Sequence, residues 1–287
     1  MRRYFFIVVL ALMTISGHLN AQHWISAGLR GGAGTYLATG EIHNRLAPNF
    51  MADVTYSYLW PIEDIELGVL SGLSFGYTGG AYRATVDEQY RNTDYLDHPM
   101  DYHNTTSFAR ERIDGFTMEI PAMMALYWNG LVLNSGFKLQ VPCWHRYRQQ
   151  LKDPIVSATY PEYGVTVTNE VITGVVADSD LRKRGKRDMC DVSLLLGFEL
   201  GYEWTLPERQ DRIGLMGYLD GALCGHKAGA RTKHVIDVAP ITNAEDPVPE
   251  VKVNTIVGTY AKRMNYLDFG VKVYYRFDVL SVLPIKE

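Results

Sequence analysis

Apolar and polar residues alternate strictly from Tyr266 to Phe277. Leu267, Phe269, Val271, Val273, Tyr275 and Phe277 share one face of an extended chain, and Tyr266, Asp268, Gly270, Lys272, Tyr274 and Arg276 share the other. A period of two is the mark of a strand with one apolar and one polar face. The pattern recurs upstream and predicts strands at Ile25–Leu37, Phe50–Trp60, Glu66–Tyr77, Phe116–Trp128, Leu131–Cys143, Cys190–Trp204 and Ile213–Cys224. Each is close to the length that a tilted strand needs to cross a bilayer.

The connections alternate in length. Pro61–Ile65, Asn129-Gly130 and Thr205–Arg212 are short; Ala38–Asn49, Thr78–Gly115, Trp144–Met189 and Gly225–Asn265 are longer. Asn-Gly between two alternating runs is a two-residue hairpin signal. Short turns on one rim and long loops on the other predict an all-β fold, an eight-stranded antiparallel transmembrane β-barrel with short periplasmic turns and long extracellular loops. Both termini then fall on the short-turn side.

The charges follow the same alternation. Arg30, Asp53, Glu119, Lys138, Glu199, Glu203, Asp220, Asp268, Lys272 and Arg276 lie on one parity, and the other parity is almost free of charge. A soluble lipocalin-like exported barrel, with charges outward, is the alternative. Two features favour the membrane. Glycines such as Gly32, Gly197, Gly214 and Gly270 accompany the charges, which suits the narrow interior of a small barrel. Trp60, Trp128, Trp204, Tyr275 and Phe277 all sit on the apolar parity at the short-turn ends, as an aromatic girdle at one membrane interface would.

Composition narrows the class further. The 287 residues are 47% hydrophobic and 21% charged, too polar for a bundle of membrane helices, and the net charge of −4 gives no case for nucleic-acid binding. Arg2 and Arg3, the apolar run Tyr4–Ile15 and a polar stretch ending near Gln22 read as a signal peptide over residues 1–22, leaving 23–287 as one barrel domain. Export without a helical anchor leaves secretion, the periplasm or a barrel in the outer membrane, and the strand pattern favours the outer membrane of a Gram-negative-type cell.

Glu119-Ile-Pro-Ala-Met-Met-Ala-Leu-Tyr127 resembles the Glu-Ile-Pro strand of PorT-like outer-membrane barrels, a group within the broad OmpA/OmpX-like eight-stranded class. The last strand, with Gly270, Val273, Tyr275 and Phe277, resembles the C-terminal signal read by the barrel-insertion machinery, although Asp278–Glu287 continues beyond it. The resemblance implies a non-enzymatic accessory or binding component of an envelope or secretion system, with outer-membrane lipid and envelope proteins as partners. A small-solute channel is the alternative.

Candidate chemistry is sparse. A two-residue turn at Asn129-Gly130 pairs position 119 with 140 and 121 with 138, making Glu119 and Lys138 diagonal neighbours on the inner face. With Arg30, Asp53, Glu199, Asp220, Asp268, Lys272 and Arg276 they can form a polar network that fills the lumen. Packing is the simpler role, and a gated ion path the bolder one. Cys143 and Cys190 sit at one rim, and either bridge the base of the third long loop or stay free thiols. The run Arg182, Lys183, Arg184, Lys186 and Arg187 is either a solvated cluster or attracted to lipopolysaccharide phosphates or an acidic partner. The β-rich stretches Tyr160–Val176 and Val248–Tyr260 either pair with each other or offer an edge to a partner. His145, His226 and His234 lie where a lipid-active enzyme would hold its base, yet none has nucleophile–base spacing. No metal spacing or cofactor motif occurs. Asn104-Thr-Thr106 matches a glycosylation acceptor and carries little weight here.

Overall fold

The structure, a computed structural model, describes residues 22–94, 96–168, 181–187, 192–207, 211–227, 232–239 and 251–278. Eight strands form a closed antiparallel sheet: β1 Gln22–Gly40, β2 Ala47–Ile62, β3 Ile65–Thr93, β4 Pro99–Trp128, β5 Leu131–Tyr160, β6 Ser193–Thr205, β7 Arg212–Ala222 and β8 Ala261–Asp278. Each pairs with its neighbour in sequence, and β8 returns to β1 from Trp24↔Asp278 to Gly40↔Ala261. Ring closure satisfies the backbone of every strand from both sides.

Asn129 at φ 50° and Gly130 at φ 82° turn β4 into β5, with both central residues in the left-handed region. That geometry matches the twist of the flanking strands. It sets Glu119 opposite Gln140 and Pro121 opposite Lys138. The other short turns, at Glu63-Asp64 and between Thr205 and Arg212, share this rim with the start of β1 and the end of β8.

The two faces differ sharply. Outward residues are apolar and exposed: Val54, Leu73, Met124, Leu133, Leu200, Leu215, Val271 and Val273 all face away from the sheet, Met124 at 70% exposure. Trp128, Trp204 and Tyr275 are exposed on the outer face at the short-turn rim, with Trp60 and Phe277 beside them half-buried. A second belt of aromatic side chains, Phe50, Phe75, Tyr77, Phe116 and Trp144, lies at the other end of the same band. From Phe116 to Trp128 a strand tilted by about 40° rises roughly 30 Å, the height of a bilayer's hydrocarbon core.

Several segments expected as loops are strand. Positions 78–115 are a continuous hairpin, with β3 and β4 paired as far as Thr93↔Pro99. Strand β5 runs past Cys143 to Tyr160, and Leu181–Arg187 pairs with it as a further strand. Strand β3 keeps one inward parity along its length, whereas the irregularity beside Ala84 and Val86 shifts the parity of β4 between Ala109 and Thr106, and that beside Phe116 and Thr117 shifts the parity of β5 at Cys143. Val165–Thr168 folds back on Ser157–Tyr160, whereas Val251–Val253 pairs with Ile236–Val238. Among the described residues, the two β-rich stretches do not pair with each other.

The paired strands Ile236–Val238 and Val251–Val253 and the short helix α1, Ile256–Tyr260, tuck inside the extension. Val235, Ile236, Val238, Ile256 and Val257 are buried there against Tyr82, Val86, Met100, Tyr102, Ile113 and Leu151. This core explains why the extended strands form. Their inward residues are apolar, and a strand gains stability when that face is covered.

Candidate functional site

Inside the barrel, charged side chains from seven strands, β1, β2, β4, β5, β6, β7 and β8, meet midway along the lumen. Arg30 bonds Asp53 at 3.0 Å, Glu119 at 2.6 Å and Asp220 at 3.1 Å. Lys138 bonds Asp220 at 2.9 Å and Glu199 at 3.0 Å. Lys272 lies 3.4 Å from Glu199 and 3.5 Å from Asp53. The chain of contacts closes on itself: Arg30, Asp53, Lys272, Glu199, Lys138, Asp220 and back to Arg30. Signs alternate around this ring, so every buried charge has an opposite charge on each side. That is the condition under which ions tolerate removal from water. Glu119 is a spur on Arg30, and Gln140 donates to it at 3.1 Å. Although Glu119 and Lys138 are diagonal neighbours, their direct ion-pair partners are on other strands.

Space for the ring comes from Gly197. A Cβ at that position would stand 2.7 Å from Asp220 Oδ1 and 2.8 Å from Lys138 Cε. Any side chain there would displace the lysine from its carboxylate.

Below the ring, at the short-turn rim, Arg276 bonds Glu203 at 2.7 Å, and Tyr274 donates to the same carboxylate at 2.6 Å. Arg212 bonds Glu66 at 2.7 Å and approaches Glu203 at 3.6 Å. Both guanidinium groups lie over Trp24, and that of Arg276 stands 4.1 Å from the Tyr127 ring centre. Arg212 and Glu66 were not expected in the lumen set. They sit at the ends of their strands, where alternation has too few residues to assign a face.

Above the ring, Asp268 accepts from the hydroxyls of Tyr266 at 3.2 Å and Tyr218 at 3.4 Å. Its bonds are to tyrosines rather than to the cation ring. Tyr36 then meets Thr78 and His145, each at 3.1 Å. Higher still, the Glu88 carboxylate accepts from the Val235 amide at 2.9 Å and the Tyr260 hydroxyl at 2.7 Å. The Glu111 carboxylate accepts from the Val257 amide at 3.0 Å. These two acids pin the inward-folded segment, and neither was singled out in the sequence because both fall within positions 78–115, expected as a loop, although each keeps the inward parity of its strand. Asn104 is fully buried and donates to the Ile236 carbonyl at 2.8 Å, so the glycosylation match is sterically closed.

The remaining candidates are scattered. His145 is buried beneath the plug, His234 stacks on Tyr90 at 4.1 Å, and the side chain of His226 lies outside the described residues. Cys143 and Cys224 are exposed thiols, and Cys190, the other half of the expected Cys143–Cys190 bridge, lies outside the described residues. Among the described residues no group of three or more His, Cys, Asp or Glu is placed to hold a metal ion. Arg182, Lys183, Arg184 and Lys186 stand on the strand paired with β5 rather than on a solvated loop; Arg187 ends that strand, its side chain outside the described residues.

No family model matches this chain, and no curated protein matches it. Among solved structures, Neisserial surface protein A (NspA) aligns over 89% of this chain and 97% of its own, at 11% identity and a TM-score of 0.29. The Pseudomonas aeruginosa protein OccK2 (OpdF), in complex with glucuronate, aligns over 91% of this chain and 97% of its own, at 9% identity and a TM-score of 0.16. At these scores the barrel rests on its own strand pairing.

Proposed function

We propose that this chain is a sealed, non-enzymatic barrel of the outer membrane that acts through its extracellular surface. The observation that carries this reading is the filling of the lumen from end to end. Three polar tiers occupy the membrane section, and an apolar plug closes the extension above it. A lumen so filled argues against the small-solute channel. The exposed apolar band between two aromatic belts supports a membrane setting over a soluble lipocalin-like barrel, which would cover such a face. The sheet that β3, β4 and β5 raise above this band supplies the working surface. An accessory role in an envelope or secretion system, as the PorT-like resemblance implies, fits a barrel with a large outer surface and, among the described residues, no nucleophile–base pair set in a cleft. Export by a signal peptide over residues 1–22 belongs to the same reading.

The test is protease treatment of intact and lysed cells, with heated and unheated samples compared by gel mobility. A heat-modifiable, protease-resistant core with cleavage on the cell exterior supports the reading. A soluble product with no heat-dependent mobility refutes it.

A further inference from the structure

The outer wall of the extension carries a second charge arrangement, in which strand pairing joins the Arg182–Arg187 run to arginines of two other strands. Strands β4 and β5 and the strand Leu181–Arg187 lie side by side, and their registers line cations up in rows. Arg112 stands opposite Arg148, which stands opposite Arg184. One row farther out, Arg110 faces Gln150, which faces Arg182. One row nearer the membrane, Asp114 faces Arg146. The next row down is Phe116 and Trp144, the aromatic belt that ends the apolar band. The cationic rows thus begin one row, roughly 7 Å along a strand, above the lipid-facing surface.

Like charges placed directly across a sheet repel. Here the described carboxylate among them is Asp114, which meets Arg146 and Arg148 at 3.2 Å and Arg112 at 3.7 Å. Among the described residues, one carboxylate against this many guanidinium groups leaves a positive excess, on a chain whose net charge is −4. Nor are the arginines sealed in the protein: Arg146 and Arg148 are about half exposed at 45% and 50%. Between them opens a groove of about 630 Å³, lined by Arg110, Arg112, Arg148, Gln150, Arg182 and Arg184. That volume is in the range of small-molecule sites. Guanidinium forks bind phosphate oxygens bidentately, and a phosphate monoester offers three acceptor oxygens and a charge of about −1.5 to −2 to several of them at once.

We propose that this groove binds the phosphate-bearing headgroup of an outer-leaflet lipid, whose acyl chains run down the apolar wall past Phe116, Trp144 and Phe137. The inference rests on the membrane reading above. It adds a site on the outer wall that neither the filled lumen nor the plug requires. What selects a lipid over a free anion is the stacking of the two chemistries: phosphate-binding rows directly above an exposed apolar face, on the same strands.

The experiment uses the full mature chain refolded into phosphatidylcholine micelles, with insertion scored first by heat-modifiable mobility. Retention of bis-phosphorylated lipid A through detergent exchange is then measured by native mass spectrometry. The wild type is expected to retain at least one lipid A. The variant Arg112→Gln/Arg148→Gln/Arg184→Gln, still heat-modifiable, is expected to bind at least tenfold more weakly. Arg91→Gln, on an exposed cation far from the groove and paired with Asp101, should bind as the wild type does. Retention should fall steeply with salt, and dephosphorylated lipid A should not be retained. Equal retention by the triple variant, or equal binding of dephosphorylated lipid A, would overturn the proposal. So would displacement of lipid A by an equal concentration of inorganic phosphate, or tighter binding of an acidic peptide. Failure of the wild type to become heat-modifiable would instead overturn the membrane reading itself.

Discussion

Arg30 is the most connected charge in the lumen, and its removal tests the ring directly. Methionine at position 30 keeps an apolar stem of similar length but removes the guanidinium. Asp53 keeps Lys272 at 3.5 Å, and Asp220 keeps Lys138 at 2.9 Å. Glu119 loses its 2.6 Å partner and is left with Gln140 at 3.1 Å, although it is fully buried. One uncompensated buried carboxylate corresponds to a destabilisation of about 3–5 kcal/mol. The double variant Arg30→Met/Glu119→Gln removes both charges and keeps a hydrogen-bonding amide against Gln140. It is expected to lie within about 1.5 kcal/mol of the wild type, because deleting a whole buried pair costs far less than breaking one. Arg30→Lys, with charge but no fork, should fall between them. The assay is urea unfolding from phosphatidylcholine vesicles, followed by tryptophan emission, to which the girdle residues Trp60, Trp128 and Trp204 contribute. A single variant within about 1 kcal/mol of the wild type, or a double variant as unstable as the single, would refute the argument. Either result would mean that water or a rearranged carboxylate solvates the lumen.

Four further outcomes are expected. In planar bilayers the wild type should show no unitary conductance, and deleting 232–260 should not create one, because the three polar tiers remain beneath the plug; discrete openings in the deletion variant would contradict this. Glu88→Ala removes the acceptor for the Val235 amide and the Tyr260 hydroxyl. Hydrogen bonds to a charged group are worth about 1.5–3 kcal/mol, so amide exchange across the plug should quicken by roughly tenfold or more while the barrel amides stay protected. On the outer wall, burial alone would raise the Asp114 carboxyl, but hydrogen bonds from Tyr77 and Arg148 and the Arg148 charge outweigh it and hold the pKa below the usual range. A depressed folded-state value contributes stability above the unfolded pKa that is lost as pH falls through the folded one. Protease sensitivity at the base of the extension should therefore rise only in acid below the ordinary carboxylate range, and an Asp114→Asn variant should show no such acid step. Finally, Gly197→Leu should drive Lys138 off Asp220 and cost about 1–3 kcal/mol, measured by the same urea titration.

Much of this molecule was legible from local pattern. Alternation of period two is a property of adjacent residues, so the eight membrane strands, the face that carries the charges and the tryptophan rim could all be read along the chain. The Asn129-Gly130 turn likewise set the 119–140 register, since turn type and register are local. Partner choice was not local. Arg30 reaches Asp220 across 190 positions and Lys138 reaches it across 82, and only barrel closure brings β1, β5 and β7 around one axis. Nothing in the spacing of Glu119 and Lys138 says that each will bond a charge on another strand. The extension was hidden for a different reason. Bulges reverse the parity of β4 between Ala109 and Thr106 and of β5 at Cys143, so the alternation breaks along those two strands. The apolar inner face of the extension acquires meaning only once residues 232–239 and 251–260 fold back to cover it. The cationic rows came from the same step: Arg112, Arg148 and Arg184 are far apart in the chain, and strand pairing alone makes them one surface.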